Sequence, residues 1–283
     1  MHYVSAIPKK IELYIPIISY TFEGNTNNIK LMNRLVFLGT GNAFATKLYN
    51  ACFAIQQGEE YFLVDGGGGN GIISQCEKAN IPITSIRNMF VTHNHSDHVL
   101  GAIWVIRFIG LYMHDGIYKG NFTVYGHQEV IDFIRYACMQ TLPLKFTDKI
   151  DKRIFFQAVE NGEEVSIQGC DFTFFDIYSV KLKQFGFKTV LPNRQIVSCL
   201  GDEPYNAKTA QYVRKSDWLI CEAFCLESDA EKYNPREKYH STVIDASTNA
   251  QELGVSHLIV YLTPKNTSAT RKQTYIQEAA HGL

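Results

Sequence analysis

The sequence predicts an α+β fold of mixed layers, and three observations carry that expectation. Short apolar runs closed by glycine or aspartate recur along the chain, as in Leu35-Val-Phe-Leu38, Cys52-Phe-Ala-Ile55 and Tyr61-Phe-Leu-Val64, the pattern of strands bounded by turns. Segments with helical spacing, residues 71–80 and 127–142, lie between such runs. The two kinds of element interleave without regular β-α-β spacing or internal repeats, which favours mixed layers over a Rossmann sheet. With 283 residues, 46% of them hydrophobic, the chain can bury a large core.

Taken in order, residues 1–30 end in the polar cluster Glu23-Gly-Asn-Thr-Asn-Asn28 and read as an N-terminal extension of uncertain order, with 31–283 as a single domain. The runs at 52–55 and 61–64, with Gly58 between them, predict a hairpin. Trp104-Val-Ile-Arg-Phe-Ile-Gly-Leu-Tyr-Met113 has the spacing of a core-facing helix, and 123–126 and 154–159 read as strands. A second strand set is expected over 165–182, 188–202 and 216–224, followed by a helix around 242–253 and a strand over 257–262.

The formal net charge is −1, which excludes an overall basic field for non-specific nucleic-acid binding. The seven cysteines are scattered, odd in number and without a C-x-x-C pair, so reduced, buried thiols in a cytoplasmic protein are expected. Glu12 and Pro16 interrupt the apolar run at 11–20, and neither a signal peptide nor a membrane span is expected.

The chemistry concentrates in Phe90-Val-Thr-His-Asn-His-Ser-Asp-His-Val99, where His93, His95, Asp97 and His98 put three imidazoles and a carboxylate within six positions. Burying such groups uncompensated is costly, so the spacing points to a bound cation, and this donor mixture suits zinc or a similar first-row ion. His93 and His95 alternate at the end of an expected strand and would project to one side. Asp97 and His98 are then placed to serve a second ion.

The other histidines are weaker signals. His127, in Tyr125-Gly-His-Gln128, reads as a cap or rim residue, and His2, His114, His257 and His281 belong to no cluster. The Gly66–Gly69 run lacks the Lys-Ser/Thr of a P-loop and the dinucleotide spacing, so it reads as a close-approach turn. Gly39-Thr-Gly41 is likewise too short to indicate a nucleotide fold. Lys181, Lys183 and Lys188 form either a small basic rim for an anionic substrate or a solvated face.

His93-Asn-His-Ser-Asp-His98 followed by Gly101 resembles the signature of the metallo-β-lactamase superfamily, and the resemblance runs from about Leu35 to about Thr270. It implies a four-layer αββα sandwich holding one or two zinc ions, with manganese as the alternative. Leu38-Gly-Thr-Gly-Asn42 resembles that family's opening strand and turn. Val64-Asp65-Gly66-Gly67 resembles a second, whose aspartate supports a metal-binding histidine. Leu200-Gly201-Asp202 is similar to the motif whose aspartate bridges both metals.

Within the superfamily, His240-Ser241-Thr242 resembles the H-S-T of the ribonuclease Z branch. Cys221-Glu222-Ala223-Phe224 resembles its H-E-A-T-F segment with Cys221 in place of the first histidine, and Ala45-Thr-Lys-Leu-Tyr-Asn50 keeps only Lys47 and Asn50 of its P-x-K-x-R-N. Two departures follow. The 24 positions from Tyr178 to Asp202 leave no room for the branch's long arm, which disfavours long structured RNA as a substrate. Two expected metal histidines are replaced by Tyr178 and Leu262, so each ion keeps three protein ligands: His93, His95 and Asp202 for one, Asp97, His98 and Asp202 for the other.

The expected activity is a metal-dependent hydrolase, a phosphodiesterase acting through a metal-activated hydroxide on a small phosphodiester or nucleotide-like substrate. Asp97 would orient the nucleophile, His240 would be the general acid with Glu222 orienting it, and Lys47 and Asn50 would hold the substrate. Tyr178 and Leu262 keep two alternatives open. One is a catalytically impaired binding or regulatory protein on the same fold; the other is a lactone or thioester hydrolase. No membrane partner is expected, and a homodimer is left open.

Overall fold

Strand β1 (Lys10–Leu13) is the first regular element in the computed structural model, which describes residues 10–13, 19–26, 29–262 and 271–281. The chain divides into two units, one of Pro16–Asn161 and one joining Met1–Ile15 to Gly162–Leu283. Residues 1–30, read from the sequence as an extension outside the domain, supply strands to both units: β1 to the second, and β2 (Ser19–Thr26) to the first.

In the first unit β2 continues into β3 (Ile29–Gly39), β4 (Cys52–Gln57), β5 (Glu60–Val64), β6 (Ile86–Phe90), β7 (Phe122–Gly126) and β8 (Ile154–Ala158), which form one sheet in chain order. β4 and β5 are the expected hairpin, paired from Gln57↔Glu60 to Phe53↔Val64. Gly58 turns the chain at φ 59°, a conformation that glycine adopts without steric cost. From β5 onward the strands pair in parallel, and parallel neighbours need crossovers. These are α1 (Gly71–Lys78), α2 (Ser96–His114), and α3 (Gln128–Thr141) with the short α4 (Leu144–Thr147).

Apolar residues at helical spacing explain how these crossovers seat. Ala102, Val105, Ile106 and Ile109 of α2 join Ile72 and Cys76 of α1, Ile134 and Cys138 of α3, and Leu63, Met89 and Val124 of the strands in one buried cluster. The expected core-facing helix at 104–113 is therefore the later part of α2, although Trp104 itself lies on its half-exposed side.

The second unit repeats the scheme. Its strands are β1, β9 (Glu164–Ile167), β10 (Cys170–Asp176), β11 (Phe185–Val190), β12 (Ile196–Cys199), β13 (Trp218–Glu222) and β14 (His257–Tyr261), in the order β1-β14-β13-β12-β11-β10-β9. β9 to β12 pair antiparallel, and β12, β13, β14 and β1 pair in parallel. Helices α5 (Ala210–Val213), α6 (Ala230–Tyr233), α7 (Val243–Glu252) and α8 (Arg271–Ala279) complete it. Val243, Ala246 and Ala250 of α7 pack with Leu219, Leu258, Val260 and Tyr275.

The strand expected over 165–182 ends early, and the reason is local. Asp176 Oδ1 accepts the N–H of Tyr178 at 2.6 Å, an aspartate side chain competing with the sheet for a backbone donor, and Tyr178 turns the chain at φ 57°. Among the described residues no helix is long and apolar enough to cross a membrane. All seven cysteines are buried thiols.

Candidate functional site

β6 closes at Phe90, so His93 and His95 stand in the loop between β6 and α2 rather than on a strand end. Gathering the imidazoles is the work of this loop and the first turn of α2, not of strand alternation. His95 is the N-cap residue of α2, and Asp97 and His98 lie in its first turn, where the positive end of the helix dipole favours the carboxylate. His93 and His98 are fully buried, Asp97 nearly so, and His95 is half-buried.

The geometry brings all four donors together. His93 Nε2 is 2.9 Å from His95 Nδ1, and the His93 and His98 rings are 4.3 Å apart. Asp65 Oδ2 lies 2.8 Å from His98 Nδ1, which fixes that ring from behind, and His98 Nε2 lies 3.5 Å from Asp97 Oδ2. Burial opposes charge on Asp97, but the neighbouring His98 imidazole outweighs it and holds the carboxyl below its ordinary value.

Thr92 is a residue that the reading of the sequence missed. Its N–H donates to Asp65 Oδ1 at 2.8 Å and its hydroxyl sits 2.9 Å from His93 Nδ1, so Asp65 and Thr92 orient both buried imidazoles. Such supporting contacts are the usual companions of metal-binding histidines. The donor set of three imidazoles and a carboxylate fits a zinc-like ion on its chemistry.

The loop geometry depends on glycine. Gly66 N–H donates to His98 O at 2.9 Å and Gly101 N–H to Gly67 O at 2.8 Å, pressing the 65–69 turn onto the first turns of α2. A Cβ on Gly101 would stand 1.8 Å from Gly66 O. The glycine run is thus the close-approach turn the sequence suggests. Asn50 spends its amide on Asn42 O at 2.9 Å, ordering the 41–50 loop, and Lys47 is exposed. His127 occupies the N-cap position of α3 and makes no side-chain cap bond there.

In the second unit, Asp202 follows β12 through Gly201, which sits at φ 61° and whose carbonyl accepts the Tyr261 hydroxyl at 2.9 Å. Asp202 is buried. Glu222 ends β13 fully buried, 3.3 Å from His240 Nδ1. Burial pushes the Glu222 carboxyl above its ordinary value, opposed by the neighbouring His240 imidazole and by the hydrogen bond from Ser241. His240 also stacks on Phe224, with ring centroids 5.0 Å apart.

Each residue of the H-S-T segment then has its own task. Ser241 N–H donates to Glu222 Oε1 at 2.6 Å and clamps the carboxylate beneath His240. Thr242 caps α7 in a capping box with Asp245. Tyr178 is 41% exposed with Lys208 Nζ 4.7 Å from its ring centroid. Leu262 is buried, at φ 66° just after β14, and has no donor atom for a metal.

The comparisons with known proteins agree with this architecture. A family model described as "Anti-Pycsar protein Apyc1" matches residues 33–234. The ribonuclease Z of Prochlorococcus marinus strain AS9601 is 25% identical over 290 residues, covering 82% of this chain and 90% of that protein. The ribonuclease Z of strain MIT 9515 is 28% identical over 144 residues, 47% of this chain and 43% of that protein, so that match spans less than half of the relative's length. Among solved structures, the metallo-β-lactamase fold protein YhfI from Bacillus subtilis superposes with a TM-score of 0.66 at 18% identity, covering 88% of this chain and 92% of that one. That likeness shows the fold, an α+β sandwich of the metallo-β-lactamase type.

Proposed function

The chain belongs to the anti-Pycsar protein Apyc1 family, within the hydrolases of the metallo-β-lactamase superfamily, and on that premise we propose that it is a metal-dependent phosphodiesterase acting on a small nucleotide-like phosphodiester. The observation that carries the reading is the cluster of buried His93, Asp97 and His98 with half-buried His95, and Asp65 and Thr92 behind it. Asp202 enters the ligand set on the sequence resemblance. A zinc or manganese ion bound there would lower the pKa of a water towards about 7 and neutralise phosphate charge.

The chain's own residues do the rest. Asp97, anchored by His98, is positioned to orient the attacking water. His240 serves as general acid for the leaving oxygen: its Nδ1 faces Glu222 at 3.3 Å, which leaves the other ring nitrogen to meet the leaving group. The buried carboxylate, clamped by Ser241, keeps the imidazole in one orientation. Lys47, exposed on its loop, supplies charge for a phosphate oxygen, and Asn50 holds that loop in place.

The test is metal content per chain by elemental analysis of untagged protein purified without chelators, followed by assay of bis(4-nitrophenyl) phosphate, a lactone and a thioester with zinc or manganese. Bound metal with cleavage of the phosphodiester is the expected result. Cleavage of the lactone or thioester alone moves the reaction to carbonyl carbon. No cleavage of any of them, with or without added metal, transfers the weight to a binding or regulatory protein, the reading favoured by Tyr178 and Leu262.

A further inference from the structure

A cavity of about 450 Å³ opens in the second unit between the 177–180 turn, the 203–208 segment and Tyr239. Three of its lining residues are tyrosines, Tyr178, Tyr205 and Tyr239, and two of these are large aromatic side chains left 41% and 52% exposed. Tyr178 and Tyr239 are both held at positive φ, 57° and 55°, which is uncommon for bulky residues. Lys208 brings a positive charge over the Tyr178 ring, and the cavity's size falls in the range of small-molecule sites.

Polar bonds join the two segments that carry Tyr178 and Tyr205. Glu203, buried, accepts the Ser179 hydroxyl at 2.8 Å and pairs with Lys181 Nζ at 3.2 Å. Asn206 Nδ2 donates to Ile177 O at 2.8 Å. These bonds tie the 177–181 turn to the 203–206 segment and so bring Tyr178 and Tyr205 to one wall of the cavity. Glu203 and Tyr239 are also the chain neighbours of Asp202 and His240, the ligand and proton-transfer candidates of this unit.

We propose that this cavity is the subsite for the planar ring of the substrate, with Tyr178 as its stacking platform and Lys208 as counter-charge for the attached phosphate. The proposal rests on the phosphodiesterase reading and deepens it by naming what sets specificity. Stacking on an aromatic side chain tolerates every base, because each has a π-face. The exposed Lys208 ammonium leaves the tyrosine face to the incoming ring and turns to the ligand's negative charge. Tyr178, standing where a metal histidine is expected, thereby has a different use.

Calorimetric titration of the purified protein with uridine 5′-monophosphate, adenosine 5′-monophosphate and ribose 5-phosphate tests this. Both nucleotides should bind about tenfold more tightly than ribose 5-phosphate. Tyr178→Ala should reduce that preference to below about threefold, Tyr178→Phe should keep it, and Lys208→Ala should weaken all three probes alike. Equal binding of nucleotides and ribose 5-phosphate by the unsubstituted protein, or an unchanged preference in Tyr178→Ala, overturns the proposal. Failure to hydrolyse bis(4-nitrophenyl) phosphate beside an intact nucleotide preference would instead count against the phosphodiesterase reading alone.

Discussion

Tyr178 and Leu262 share a backbone feature that their side chains do not explain. Both lie in the left-handed region, at φ 57° and 66°, where histidine, asparagine and aspartate are enriched among non-glycine residues and a tyrosine or leucine is unusual. Both follow a strand directly or by one residue, β10 and β14, so the strand-end turns suited to a ligand histidine persist without the histidines. Tyr178→His with Leu262→His is therefore expected to raise zinc affinity by about 10- to 100-fold, the scale of disturbing a metal site's supporting groups. Competition against a chromogenic chelator measures it. Unchanged affinity in the double variant would remove both positions from the ligand set.

At the level of elements, the join between the 65–69 turn and α2 has no slack. Replacing a glycine inside a helix with alanine ordinarily stabilises by about 1 kcal/mol. At Gly101 the new methyl would meet a backbone carbonyl at 1.8 Å, and overpacking against atoms that cannot rotate away costs about 1–3 kcal/mol or more. The clash wins, so Gly101→Ala should lower the melting temperature by several degrees and, by shifting α2 against the turn, weaken zinc binding at His98. Thermal denaturation and zinc titration of the same variant check both. A melting temperature equal to or above that of the unsubstituted protein would show that the turn can yield.

For the whole molecule, the prediction concerns linkage between metal and folding. A ligand that binds the native state and not the unfolded one stabilises by about 4 kcal/mol at a thousandfold excess over its dissociation constant. The donors His93, His95, Asp97 and His98 sit around one loop-to-helix junction and do not persist as a set in the unfolded chain. Chelation should therefore lower the melting temperature, and restoring zinc should recover it. Scanning calorimetry with and without chelator reads this directly; identical transitions would mean that the cluster is held by its hydrogen bonds alone.

The sequence by itself determined the class of fold, the hairpin at β4 and β5, the helical segments between strands, and the metal-donor cluster. Each is written in local spacing: alternation and turn residues for strands, 3.6-residue periodicity for helices, and four donors within six positions for the site. Only the tertiary structure decided what depends on long-range pairing. The strands within residues 1–30 are one instance, since β1 is parallel to β14 across the length of the chain and no local pattern announces such a partner. The early stop of β10 at Asp176, the service of Thr92 to both Asp65 and His93, and the clamp of Ser241 on Glu222 are others. So is the tyrosine-lined cavity, because residues 178, 205 and 239 are far apart in the chain and only the fold gives them one surface.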